Sequence, residues 1–183
     1  MKTRIFDPHS QQGWVLIIGL VVLVMLTIIA MALMRTTLLE EKMAGASRDI
    51  NLSFEAAEAG LRGAEDFIES QADDSVFTAT LNGLYAQGTS DDDIERPPFE
   101  LDSWEPKNNH SRALDSKPAG VTSAPRYMIK KVGESGGEGS LNIGGYGETD
   151  LTQKSVIYRI TGRGTGGNDT TQTVLRSHYA RAY

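Results

Sequence analysis

The residue types that carry chemistry are sparse in this chain. His9, His110 and His178 are scattered, and no pair of them stands at metal-ligand spacing. There is no cysteine, so thiolate ligands, a cysteine nucleophile and a disulfide framework are all excluded. No G-x-S-x-G nucleophile elbow occurs. Asp91-Asp92-Asp93 has the charge that calcium needs, but it lacks the spaced ligands and central glycine of a calcium loop, so it reads as a solvated loop. Gly162-Arg-Gly-Thr-Gly-Gly167 has the composition of a phosphate cradle. Such a cradle needs a helix after it, and the residues that follow read as a strand, so the segment reads as a hairpin turn. N-x-S/T triplets at Asn51, Asn109 and Asn168 are short enough to arise by chance. The sequence thus points to no catalytic residue, no metal and no cofactor.

The dominant element is Trp14–Met34, 21 residues without a charge or a proline. At about 1.5 Å per residue such a helix spans roughly 30 Å, the thickness of a bilayer's hydrocarbon core. It is longer than a secretory h-region of about 7–15 residues. Thr27, Gly19, Ala30 and Ala32 alone interrupt its apolar surface. The small residues suit close helix-to-helix approach in lipid. Lys2 and Arg4 precede the segment and favour a cytoplasmic N-terminus, a weak bias because Arg35 and Lys42 flank the other end. Gly13 borders the apolar run and offers a cleavage point before it, although a helix start is the plainer reading; Ala30-Met31-Ala32 offers one after it.

The helical pattern continues past the apolar segment. Leu39, Met43, Ala46, Ile50, Phe54, Ala57, Leu61, Ala64 and Ile68 recur at steps of three and four, and no proline occurs between Pro8 and Pro97. One helix from about residue 14 to 71 follows. Leu39, Met43, Ile50, Phe54, Leu61 and Ile68 form its expected packing face, turned mostly onto the chain's own domain. Residues 35–183 carry a net charge of −7, which disfavours nonspecific nucleic-acid binding through bulk charge.

The remaining chain, residues 72–183, reads as one exported domain. Val76–Leu81 fits a strand or a short helix, and Trp104 is expected to anchor a long loop to the core. Pro125–Val132 and Ser155–Thr161 read as strands, Gly133–Ser140 as a flexible loop, Gly162–Asp169 as a turn and Thr170–Tyr179 as the return strand.

The segment Met34–Arg62, MRTTLLEEKMAGASRDINLSFEAAEAGLR, resembles the PilX family of type IV pilus minor pilins. The likeness covers about residues 11–70 and is most specific in the MAG, RD, AAEA and LR portions. Tyr158–Gly167, YRITGRGTGG, is similar to that family's C-terminal sheet, less specifically. The resemblance implies an α+β, type IV pilin-like fold: a long N-terminal helix, half of it transmembrane, packed on a small antiparallel sheet of three to four strands. It implies a leader over 1–13, a transmembrane and assembly helix over 14–34, an amphipathic continuation over 35–71 and a globular domain over 72–183. Prepilin peptidase would cut after Gly13 and leave an N-methylated Trp14, where most pilins have phenylalanine. The fifth mature position, usually glutamate, is here Ile18, and in pilin-like systems that departure marks a candidate for the filament tip. The expected role is a structural one, priming filament assembly in support of motility and adhesion. The expected partners are other minor pilins, the major pilin, the prepilin peptidase, the inner-membrane assembly platform and a tip adhesin, with the inner membrane as host before assembly. A type II secretion pseudopilin, a single-pass membrane-anchored binding module and a secreted enzyme cut after Ala32 are the rival readings. The enzyme is weakest for want of a nucleophile–base pair.

Overall fold

The computed structural model describes residues 12–88, 90–91, 93–135 and 155–183. His9, nearly all of the expected leader, Asp92 and residues 136–140 of the glycine-rich loop lie outside them.

A single helix, α1, runs Gln12–Ser70. Its uninterrupted length agrees with the unbroken three–four period and the absence of proline. The chain divides within it into two compact units, the first ending at Ala46 and the second spanning Ser47–Tyr183.

The second unit is built on a five-stranded sheet: β1 (Leu84–Tyr85), β2 (Arg112–Ala113), β3 (Arg126–Ser135), β4 (Ser155–Thr165) and β5 (Gln172–Ala182). The long strands β3, β4 and β5 form an antiparallel meander. Both two-residue strands pair with the outer edge of β3, β2 antiparallel and β1 parallel. The sheet is therefore mixed, where an antiparallel one was expected. Leu84 and Tyr85 are too short a run to show any periodicity in sequence. Val76–Leu81 forms a 3-10 turn at Ser75–Phe77 rather than a strand.

Residues of period two on β3 and β4 bury one face of the sheet against α1. Tyr127, Ile129, Val156, Tyr158 and Ile160 pack with Ala64, Ile68 and Phe77 in one cluster. The Phe77 and Tyr158 rings stand 4.6 Å apart. Burial, together with a 2.9 Å hydrogen bond to the Tyr183 hydroxyl, holds the Tyr158 phenol far above its ordinary pKa. Burial opposes the charge on Lys131, yet Asp74 and Glu134, each 2.6 Å from Nζ, overcome it and raise the ammonium's pKa. That ion pair ties the segment after α1 to β3.

The opposite face is covered by the long loop between β1 and β2. Trp104 is buried with Tyr85 and Met128, and its indole N–H donates to the Pro98 carbonyl at 2.8 Å. It is the loop anchor that its isolated position suggested. Glu95 reaches the same face. Its side chain is 3 % exposed and takes the Arg159 guanidinium at 2.8 and 2.9 Å, the Thr161 hydroxyl, and Arg176 at 3.5 Å.

Candidate functional site

Within the first unit, every residue from Gly13 to Ala46 is exposed. Trp14 is 72 % and Ile18 57 % exposed, and so are the other large apolar side chains of 14–34 to similar degrees. A bare apolar helix of this length is stable in lipid or against other helices, not in water. Its few hydroxyls are already satisfied: Thr27, Thr36 and Thr37 donate to the carbonyls of Leu23, Ala32 and Leu33 at 2.8–3.2 Å. Such back-bonding removes the cost of carrying a hydroxyl into hydrocarbon. Gly13, Gly19 and Gly45 sit in helix with nothing among the described residues within 4 Å of where a Cβ would be. Glycine in a helix interior costs about 1 kcal/mol relative to alanine. No contact among the described residues accounts for that cost at Gly19 and Gly45, which lie in the helix interior.

The expected packing face divides. Ile68 is buried and Leu61 packs against the core, but Ile50 and Phe54 are 56 % and 48 % exposed, and Leu39 and Met43 are exposed as well. The face that meets the sheet below Leu61 consists instead of Ser53, Ala56, Ala57 and Gly60. The reason lies on β4. Gly162–Thr165 is strand, not turn, and the turn occupies residues 166–171. Gly162 and Gly164, two apart and so on one face, turn toward α1. A Cβ on Gly162 would lie 3.0 Å from the Ala57 carbonyl, and one on Gly164 would lie 2.7 Å from the Ala56 carbonyl carbon and closer still to the Ala57 nitrogen and Ser53 oxygen. Helix and strand backbones thus touch, which leaves room only for small residues on both. Bulky Ile50 and Phe54 are displaced to the outside.

Asp49 closes this contact. Its carboxylate accepts the Gly167 amide at 2.5 Å and the Asn168 side-chain amide at 2.8 Å. Asn168 in turn accepts from the amides of Thr170 and Thr171 at 3.0 and 2.9 Å, shaping the turn. A hydrogen bond from Thr171, opposed by burial and aided by Gly167 and Asn168, holds the Asp49 carboxyl below its ordinary value of 3.8. A group with a depressed folded pKa contributes its stability above the unfolded value and loses it as pH falls through the folded one. Asp49→Ala is therefore expected to lower the melting temperature near neutral pH, and the gap from wild type should close as both are acidified below the usual carboxylate range. Thermal unfolding at a series of pH values checks this; a constant gap would mean that Asp49 acts through packing alone.

Asp49 lies off the three–four apolar stripe of α1, so the helical period gives it no structural role. A glycine repeat of period two beside a strand was the clue to a close helix approach. Glu58 and Arg62 form an exposed pair at 3.0 Å. Most of the RD, AAEA and LR portions of Met34–Arg62 thus have a place in the fold: a clasp, a small-residue contact and a surface pair. Of the histidines, His178 is exposed on β5 and His110 offers its carbonyl to the Tyr85 hydroxyl at 2.9 Å.

Comparison with known families is consistent with this geometry. Residues 12–62 match the family model described as PilX N-terminal, and residues 68–181 match Type IV pilus assembly protein PilX C-term. No curated protein and no solved structure matches the chain.

Proposed function

Because the chain belongs to the PilX family of type IV pilus assembly proteins, and so is a pilus component of the minor pilin kind, we propose that it primes filament assembly from a position at or near the filament tip. The observation that carries the proposal is the chargeless, wholly exposed helix with isoleucine at position 18. An unpaired carboxylate is costly inside a membrane or an apolar bundle. A subunit that lacks one needs no neighbouring amine to neutralise it, so it has no electrostatic demand for a subunit beyond it.

In this reading residues 1–13 are a leader, prepilin peptidase cuts after Gly13, and Trp14 becomes the N-methylated mature terminus. The helix over 14–34 waits in the inner membrane with its N-terminus cytoplasmic, then moves into the filament, where other helices replace lipid. The helix glycines that make no contact within the chain, Gly19 and Gly45, support close approach to neighbouring helices. Leu39, Met43, Ile50 and Phe54 are exposed and supply apolar surface for the same neighbours, the other minor pilins and the major pilin. The sheet domain faces outward, toward a tip adhesin. Twitching motility and adhesion follow from the filament rather than from any chemistry of this chain.

Ile18→Glu tests the placement. A carboxylate there demands an amine from a neighbouring subunit, so the variant is expected to incorporate poorly or at altered stoichiometry. Counting surface pili and measuring their minor-subunit content checks this. Unchanged pilus number and composition would contradict a tip position.

A further inference from the structure

The sheet face opposite α1 carries two arginines in direct register, Arg126 on β3 and Arg163 on β4. Like charges directly opposite on neighbouring strands are destabilising. Both are half-buried, and burial lowers the pKa of each; the charge on Arg163 lowers that of Arg126 further. Yet every hydrogen-bond acceptor they have among the described residues is neutral. Arg126 donates from Nε to the Ser111 hydroxyl at 2.8 Å and from Nη2 to the Ser111 carbonyl at 2.5 Å. Arg163 donates from Nε to Gln172 Oε1 at 2.8 Å.

Both arginines line a cleft of about 460 Å³ with Leu101, Trp104, Ser123 and Thr165. Two carboxylates border it, and both are engaged elsewhere. Glu105 pairs with Lys107 at 2.5 Å, and Asp169, whose charge favours the Arg163 cation, accepts the Ser123 hydroxyl at 2.6 Å. Trp104 itself is 2 % exposed, with its indole N–H bonded to Pro98, so the apolar surface open at the cleft lies at its rim. Leu101 is 62 % exposed at the rim, and Phe99, two residues before it, is 87 % exposed.

We propose that this cleft is a docking site for a carboxylate presented beside an apolar side chain by another protein chain. A carboxylate entering beside the two arginines would add negative charge next to both and accept from the guanidinium N–H groups that Ser111 and Gln172 leave open, the kind of bond guanidinium groups favour. The apolar rim at Leu101 would bury the adjoining side chain. The chain's net charge of −6 gives anions no general attraction, so selection rests on this local pair. The site goes beyond the assembly role and does not depend on it.

The test is an NMR titration of the full chain in detergent micelles, following the arginine Nε–H resonances. The probes are N-acetylphenylalanine, its uncharged amide and inorganic phosphate. The expected result is that the acid shifts the Arg126 and Arg163 resonances together and to saturation, while the amide does not. Arg163→Gln should weaken the acid by roughly tenfold or more, as loss of one charge-assisted partner implies. No saturable shift with the acid, or equal shifts with acid and amide, would overturn the proposal. Phosphate saturating at lower concentration than the acid would also overturn it, because the site would then select an oxyanion without regard to the apolar group. The wild-type titrations decide the matter even if Arg163→Gln does not fold.

Discussion

Gly164→Ala is expected to unfold or severely loosen the sheet domain, while Gly133→Ala leaves it intact. The added methyl at 164 meets the backbone of α1, at the Ala57 nitrogen, the Ser53 oxygen and the Ala56 carbonyl carbon. Backbone atoms have no alternative rotamer, so the helix itself must move off β4. Overpacking in a tight interior costs about 1–3 kcal/mol and occasionally more, and this site belongs at or above the top of that range. The displacement would also strain the neighbouring Ser53–Thr173 hydroxyl contact of 2.6 Å and the Asp49 clasp. Gly133, by contrast, has nothing among the described residues within 4 Å of a Cβ and no positive φ. Alanine there should be neutral or stabilise slightly, by up to about 1 kcal/mol, through the unfolded chain. Chemical denaturation of both variants in detergent measures the difference. Equal stability of the two would mean that α1 does not rest on β4 as described.

Glu95→Ala is the second large effect. It removes the one carboxylate that joins Arg159, Arg176 and the Thr161 hydroxyl on the loop-covered face. Breaking a buried ion pair from one side costs about 3–5 kcal/mol, because the partner stays desolvated and unpaired. Arg159 and Arg176 remain 29 % and 43 % exposed, and water reaches them in part, so a loss near the lower end, about 3 kcal/mol, is expected. Arg159→Ala should cost less, since Glu95 keeps Arg176 and Thr161. A double-mutant cycle between positions 95 and 159 isolates the pair. A coupling energy indistinguishable from zero would assign the role of Glu95 to packing.

These two residues show where the sequence was readable and where it was not. The three–four period and the missing prolines placed α1 within two residues of its observed ends. Alternation around Tyr158 and Ile160 marks β4, and the isolated position of Trp104 marks the loop anchor. The glycine repeat misled, because glycine marks both turns and close backbone approach, and only the helix lying across Gly162 and Gly164 distinguishes them. The helical period likewise put Ile50 and Phe54 on the packing face, where they are 56 % and 48 % exposed, since a period alone does not say how near the partner lies. Glu95 sits in an unpatterned, proline-rich stretch, and its partners are more than sixty residues away on β4 and β5, a pairing that no local rule reveals. The Arg126–Arg163 opposition likewise depends on register, which the sequence leaves open.

The two units assign small residues to different purposes. In the second, Gly162, Gly164, Ala56 and Ala57 are small because helix and sheet meet there. In the first, Gly19 and Gly45 meet nothing among the described residues of their own chain, which leaves them open to close approach by neighbouring helices. The N-terminal residue and mass of the mature protein, taken from the native host with and without prepilin peptidase, test that account most directly. It predicts a chain beginning at an N-methylated Trp14 only where the peptidase is present. A chain beginning near Leu33, or an intact Met1 in both strains, would contradict it.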